Sequence, residues 1–290
     1  MKIGQVRGIN LKVSRFLPAL FLIYFLLGIG DKALLVFAII LIHELGHVFC
    51  AVFWGMRVDT FELFPLGGVA RMENLYVGSL GKEIVLYLTG PLVNFFLGGV
   101  CFALCFYLKE KETMAFLGQA SLAIGLFNLI PAWPLDGGRI FQAILSRLAG
   151  YLYAARFVSL IGQLWAVIFF IYGVWAMAYS PVNLHWWIIA VFLFYLNKRE
   201  KGIVYLSFMH YLTQKKKEIE GGEFLPALIL VSLPKVTVIK IIERLVPHRY
   251  HLIYVLDAQG RIIGLITEDT IIDLFFQGRM HISLGEVFKK

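Results

Sequence analysis

The chain has little charge and little cysteine for its length. Only 16% of its 290 residues are charged while 59% are hydrophobic, and its mean hydropathy of +0.77 lies outside the range typical of soluble globular proteins. It also lacks internal repeats, low-complexity tracts and a Cys-x-x-Cys metal site. No disulfide framework is visible, because the cysteines lie in apolar stretches at Cys50, Cys101 and Cys105. The composition therefore predicts an integral, multi-pass α-helical membrane protein.

Positive charge is in excess, and the net charge is +8. A large share of it falls in the N-terminal segment and between Lys198 and Lys217, and both segments flank apolar stretches. Basic residues in such places are typical of topology signals and of contact with lipid headgroups rather than of direct nucleic-acid binding. The excess therefore predicts contact with a bilayer surface.

Windows of about twenty apolar residues predict six membrane-spanning helices. Basic residues concentrate in every second loop, such as the one holding Arg57, Arg71 and Lys82, so both termini are predicted to lie in the cytoplasm. The first window is short and follows a basic segment, as in a signal peptide, but we interpret it as an uncleaved anchor. The predicted spans are residues 16–30, 33–54, 84–108, 114–130, 155–178 and 182–197.

Two regions outside the spans carry patterns of their own. Residues from Arg57 to Met72 alternate in part and break at Gly67-Gly68, which predicts a hairpin, either a connector or an edge that pairs with an extended substrate. The composition changes again after the last span. We predict a membrane domain at 1–197, a charged linker at 198–223 and a small α+β domain at 224–290. The predicted elements of the small domain are, in order, an apolar run at 227–231, an amphipathic stretch at 236–245, strands at 252–257 and 261–267 and a helix at 269–276.

The most informative motif, His43-Glu44-Leu45-Gly46-His47, lies inside the second predicted span. On a helix the two histidines project from one face, so two imidazoles can hold one Zn²⁺ ion. Glu44 lies about a hundred degrees round the helix and can flank that metal as general base. The motif also occurs by chance, but each ionisable residue in an apolar span costs about 2.5 to 3.5 kcal/mol to insert and is rarely kept without a function.

A catalytic zinc site needs a third protein ligand, and Asp136 is the candidate. It follows the fourth predicted span, where Pro131 and Pro134 predict a helix broken into extended backbone that lines a protein cavity. Asp136 could instead cap the helix predicted over residues 137–148. Topology favours the ligand role, because the second and fourth spans both run inward and bring the histidines and Asp136 to the cytoplasmic side.

Three motifs together resemble the site-2 protease family of intramembrane zinc metalloproteases. They are the histidine motif, Gly-Pro-Leu-Val-Asn at 90–94 and Asn-Leu-Ile-Pro-Ala-Trp-Pro-Leu-Asp-Gly-Gly at 128–138. The resemblance extends over nearly the whole chain. The order of six spans followed by one cystathionine-β-synthase-like (CBS) domain is similar to the bacterial sporulation subgroup of that family.

The resemblance implies a role for each matching residue. One Zn²⁺ per chain is implied at His43, His47 and Asp136, with Glu44 as the catalytic glutamate. The same resemblance implies that Asn128 and Pro134 hold the substrate.

The C-terminal domain resembles CBS modules at residues 255–260 and 264–267. Such modules often bind adenine nucleotides such as ATP, with a Thr and an Asp three residues later contacting the ribose. Here Thr267 is followed by Thr270 at that position, and Asp269 falls one residue early. One module per chain also implies a homo-oligomer that forms through this domain.

We therefore predict a zinc metalloendopeptidase that cleaves a membrane-tethered protein near the cytoplasmic face. The sporulation subgroup implies a sigma factor precursor as substrate, and membrane inhibitor proteins are expected as further partners. The alternative is a CBS-regulated membrane metal transporter or sensor, since intramembrane His and Asp also mark ion pathways. A third hypothesis is a catalytically silent scaffold that binds a partner through its spans and its soluble domain. Glu44 separates these functions, because hydrolysis requires a general base whereas transport does not.

Overall fold

A computed structural model gives the fold of the chain. It describes residues 2–6, 9–14, 16–26, 28–56, 58–64, 67–72, 80–107, 111–179, 186–187, 189–198, 208, 212, 226–247 and 249–288. The chain divides into two compact units, Met1–Ile140 and Phe141–Lys290.

A four-stranded sheet opens the first unit, with the strands in the order β1-β2-β3-β4. β3 and β4 form an antiparallel hairpin and confirm the prediction for this segment. β1 and β2 lie where the sequence predicts only a basic N-terminal segment, although Ile9, Leu11 and Val13 alternate with polar residues. β2 pairs in parallel with β3, so the start of the chain extends the hairpin. The strands are β1 (Lys2–Val6), β2 (Ile9–Val13), β3 (Val58–Phe64) and β4 (Gly67–Met72).

The other regular elements described in the first unit are helices. Their close packing depends on glycine, as is common where helices meet in membranes. A Cβ atom at Gly98 of α3 would lie 2.9 Å from Leu122 Cδ2, and one at Gly125 of α4 would lie 2.8 Å from the Phe95 ring. These two helices therefore approach each other more closely than larger side chains would allow. The helices are α1 (Phe16–Leu26), α2 (Gly30–Phe53), α3 (Leu80–Leu104), α4 (Lys111–Asn128) and α5 (Asp136–Ala149), of which α5 runs on into the second unit.

The surface of α2 is the reverse of that of a helix in a water-soluble protein. It buries His43 and His47 and exposes Phe49 and Phe53, each about three quarters exposed at 74% and 76%. An apolar exposed face and a polar buried face suit a helix surrounded by lipid tails. The chain is accordingly an integral membrane protein.

Three helices among the described residues are long and apolar enough to cross a bilayer, namely α2, α3 and α6 (Tyr151–Met177). They match three of the six predicted spans. The first and fourth predicted spans correspond to the shorter α1 and to α4, while the sixth is described only in part, at Trp186, Trp187 and the ten-residue α7 (Ile189–Lys198). The count of six stays a prediction.

The segment between α4 and α5 breaks the helix as predicted, but its backbone is not extended. It forms a series of tight turns, in which the Ala132 N–H donates to the Ile130 carbonyl at 2.7 Å and the Leu135 N–H to the Ala132 carbonyl at 2.9 Å. A Cβ atom at Gly138 would lie 2.6 Å from the Ala132 carbonyl oxygen, so the first turn of α5 packs directly on this backbone. The expectation of extended backbone was wrong, because short hydrogen bonds within the segment satisfy its polar groups locally.

The second unit contains α6, α7 and a small domain built on a three-stranded sheet. The domain has the predicted strands and helix, with a turn in which Asp257 Oδ1 accepts from the N–H groups of Gln259 and Arg261. Only the middle of the stretch predicted at 236–245 is helical. The predicted linker at 198–223 lies almost wholly outside the described residues. The elements are β5 (Ala227–Ser232), α8 (Val238–Ile242), β6 (Tyr250–Leu256), β7 (Ile262–Thr267), α9 (Glu268–Phe276) and α10 (Leu284–Val287).

The small domain contacts the beginning of α6 within the second unit. The Tyr151 N–H donates to the Leu245 carbonyl at 3.2 Å, and Arg156 pairs with Glu243 at 2.6 Å. Gly150, at a φ of 99°, approaches the Glu243 carbonyl so closely that a Cβ atom there would lie 2.6 Å from it. The segment that follows α8 is thus held against the start of α6.

Candidate active site

His43 and His47 lie one helical turn apart on α2, and both are buried. Their rings meet edge to face with centroids 4.9 Å apart, and their Nε2 atoms lie 3.3 Å from each other. The i, i+4 spacing of the motif produces this arrangement directly, because such residues project from the same face of a helix.

Asp136, the first residue of α5, completes the cluster. Its Oδ2 atom lies 3.0 Å from His43 Nε2 and 3.1 Å from His47 Nε2. Zinc–nitrogen bonds of 2.0–2.1 Å in a tetrahedral site place the ligand atoms about 3.3 Å apart, close to the three distances found here. Among the described residues, these three form the only group of His, Cys, Asp or Glu side chains able to share a metal ion. The donor set and its spacing fit Zn²⁺.

Helix α3 forms the opposite wall of the cluster. His47 Nδ1 lies 2.8 Å from the carbonyl oxygen of Leu86, and His43 Nδ1 lies 3.1 Å from the side-chain amide of Asn94. Between these two residues stands Gly90, where a Cβ atom would collide with the Nε2 atoms of both imidazoles. The face of α3 therefore touches both rings and leaves space where they converge.

Glu44 lies beside this cluster on α2 and is half-buried. It follows His43 directly in the chain and lies three residues before His47 on the same helix. It does not belong to the group of three convergent ligand atoms. Its position is therefore that of a carboxylate next to a metal site.

The two residues expected to hold substrate lie at the break between α4 and α5. Asn128 is the last residue of α4, and its amide nitrogen donates to the Ile124 carbonyl at 3.0 Å. Pro134 follows the buried Trp133 through a cis peptide bond. Their role in substrate binding stays a prediction.

Comparison with known proteins gives the family. The profile described as Peptidase family M50 matches residues 32–113 and 108–172, which include all three convergent side chains. The chain belongs to peptidase family M50. The fold of this M50 chain is similar to that of the site-2 protease from Methanocaldococcus jannaschii, with a TM-score of 0.58 and 27% identity over 69% of this chain and 94% of that structure.

Two curated relatives also match. Zinc metalloprotease MJ0392 from M. jannaschii is 27% identical over 80% of this chain and 66% of its own length. Stage IV sporulation protein FB from Bacillus subtilis is 28% identical over 61% of this chain and 62% of its own length. The M50 chain thus matches less than two thirds of the length of either relative.

The sequence predicts the three convergent residues of the site better than it predicts the residues that contact them. The structure brings His43, His47 and Asp136 together as the motif and the topology predict. The sequence does not indicate the contact between His47 and the Leu86 carbonyl, because every residue type has a backbone carbonyl. Asn94 stood out only as part of a family motif, without a role. The periodic spacing of Leu86, Gly90 and Asn94, four residues apart, was the signal that could have placed them on one face.

Proposed function

We propose that the chain is an intramembrane zinc metalloendopeptidase. The single observation that carries this proposal is the convergence of His43, His47 and Asp136 from two helices, with Glu44 beside them on a helix long enough to span a bilayer. Membership of peptidase family M50 supports the same function. In this proposal the three convergent side chains hold Zn²⁺.

In this proposal each residue of the site has its own role in hydrolysis. Zinc bound at this site supplies a Lewis acid that polarises the scissile carbonyl and acidifies the attacking water. Glu44 accepts a proton from that water and later donates it to the leaving amine. Burial of the cluster keeps these charges in a low-dielectric environment, where electrostatic interactions are stronger than in water. Asp136 and the two histidines stay fixed because each comes from a packed helix.

The location of the site supports a membrane-tethered protein as the substrate class. A peptide bond reaching a cluster buried among membrane helices belongs most simply to a membrane-tethered protein, and its helix has to unwind to expose the amide. β4 is an edge strand of the described sheet, and its free backbone edge offers pairing to such an extended segment. Its partner β3 begins at Val58, five residues after α2 ends at Phe53, so the hairpin follows α2 closely in the chain.

A finer proposal concerns the substrate and the side of cleavage. The relative from B. subtilis carries a sporulation name, which supports a sporulation protein precursor, such as that of a sigma factor, as the substrate. Cleavage near the cytoplasmic face is proposed from the bias of basic residues towards the loop after α2. Membrane inhibitor proteins remain an expectation drawn from the resemblance.

Nucleotide binding by the small domain stays a prediction. The Thr267 and Thr270 hydroxyls lie 3.0 Å apart, and the Tyr250 hydroxyl donates to Asp269 Oδ2 at 2.7 Å. Burial and the neighbouring Asp269 carboxylate raise the pKa of Tyr250 to about 12, so this donor stays protonated at neutral pH. An ATP ribose would have to replace these contacts.

The decisive test is cleavage of a membrane-tethered candidate substrate by the purified full-length chain in proteoliposomes. Wild type is compared with Glu44→Gln, with a chelator, and with Glu112→Gln as a control that removes an exposed carboxylate at the start of α4. We expect Glu44→Gln to lower the cleavage rate at least a hundredfold, because general base catalysis contributes about 10²–10⁴-fold. Normal cleavage by this variant would end the protease proposal, whereas zinc-dependent ion flux without cleavage would support the transporter.

A further inference from the structure

One face of α3 carries the neighbours of both histidines. Leu86, Gly90 and Asn94 follow one another at four-residue intervals and are all buried. Residues with this spacing lie above one another on a helix, so a single face of α3 meets both imidazole rings.

His47 shows how a ring is oriented by this face. Its Nδ1 atom lies 2.8 Å from the Leu86 carbonyl oxygen, which can only accept a hydrogen bond. Nδ1 therefore carries the proton, and the lone pair of Nε2 is directed towards Asp136 and His43. The backbone of α3 thus selects the tautomer that a metal ligand needs.

His43 has an equivalent neighbour, but a side chain supplies it. The Asn94 amide nitrogen lies 3.1 Å from His43 Nδ1, while the buried Asn94 Oδ1 is without a hydrogen-bond partner among the described residues. A half-turn of the amide exchanges its oxygen and nitrogen. The oxygen then faces Nδ1 and accepts its proton, which leaves the Nε2 lone pair free, while the amide nitrogen takes the position that has no partner among the described residues.

We infer that Asn94 is a positioning residue for the zinc site, because its amide oxygen accepts the His43 Nδ1–H as the Leu86 carbonyl accepts that of His47. This inference rests on the proposed function, since it assigns Asn94 a role towards the same zinc. Metal-bound histidines generally donate their second N–H to such a partner, which fixes the ring and raises its basicity. Asn94 is the one of the two partners that a substitution can remove.

The test measures zinc affinity of the full-length chain in nanodiscs by competition with a chromogenic chelator. Loss of such partners typically weakens metal binding 10–100-fold, and we expect a weakening in this range for Asn94→Leu. Asn94→Asp keeps an acceptor oxygen and is expected to bind zinc within a fewfold of wild type. Ser121→Ala, which alters a buried polar side chain of α4, is the matched control and should leave zinc affinity unchanged.

Two further measurements separate positioning from folding and from catalysis. Size-exclusion elution and helical circular dichroism show whether each variant is folded, and the visible spectrum of bound Co²⁺ reports whether the ligand geometry has changed. Zinc binding as tight in Asn94→Leu as in wild type would overturn the inference, as would equal weakening in Asn94→Leu and Asn94→Asp. Failure of Glu44→Gln to stop cleavage would refute the protease while leaving these zinc affinities interpretable.

Discussion

His43 and His47 in the first unit and His251 in the second are all buried next to a carboxylate, but their ring nitrogens face different partners. His251 Nδ1 lies 2.7 Å from Glu268, and its Nε2 atom accepts from the Val246 N–H at 3.1 Å. The protein therefore uses both nitrogens of His251. In the first unit it engages each Nδ1 atom through α3, while both Nε2 atoms converge on Asp136.

The difference shows what separates a metal site from a structural pair. Burial beside a carboxylate is common to both groups, so it does not decide the function. The deciding feature is that the Nε2 atoms of His43 and His47 and a carboxylate oxygen of Asp136 converge at distances of 3.0–3.3 Å from one another. His251 and Glu268 instead join β6 to α9 and hold the segment at Val246.

The exposed apolar side chains of the two units also differ in the kind of element to which they belong. Phe49 on α2 is 74% exposed and belongs to a helix that can span a bilayer, so lipid covers it. Val231 on β5 is 64% exposed but belongs to the small α+β domain. We propose that a second copy of the chain covers the face around it, as the resemblance of this domain to CBS modules implies.

The largest effect is expected from placing a methyl group where the two rings converge. In Gly90→Ala the new Cβ atom would collide with the Nε2 atoms of His43 and His47, so we expect zinc binding and cleavage to fall below detection. Gly99→Ala on the same helix is the control, because a Cβ atom there meets no atom within 4 Å. Zinc titration and the cleavage assay check both variants. Retention of stoichiometric zinc by Gly90→Ala would show that the site lies elsewhere.

An intermediate effect is expected at the structural pair. His251→Leu removes a partner of the fully buried Glu268 carboxylate, and we expect this to destabilise the small domain by about 3 kcal/mol. Zinc affinity should not change, since His251 takes no part in the cluster. Limited proteolysis with increasing denaturant measures the loss, and the exposed His281→Leu is the control. If His251→Leu lost zinc while its small domain stayed folded, the two histidine groups would not differ in the way described.

The sequence predicts the site better than it predicts the surroundings of the site. The spacing of His43 and His47 is local and survives folding unchanged, and charge topology was enough to bring Asp136 to them. The hydrogen bonds of α3 to these rings join residues 39 and 51 positions apart, and helix packing alone decides them. The parallel pairing of β2 with β3 likewise depends on contacts some fifty residues apart. Local periodicity can place residues on one face of an element, but it does not say which distant residues that face contacts.

The smallest effect is expected at the apolar face of the small domain. Strand pairing sets Val231 beside Tyr254 and Tyr254 beside Leu265, so these side chains share one face of the sheet. We propose that this face pairs with a second copy, and Val231→Asp should then weaken self-association more than tenfold by burying an unpaired charge. Light scattering of the full chain in detergent measures the change. Gln259→Asp adds the same charge at the exposed turn and should leave the mass unchanged, and an unaltered oligomer in Val231→Asp would show that lipid or another protein covers this face.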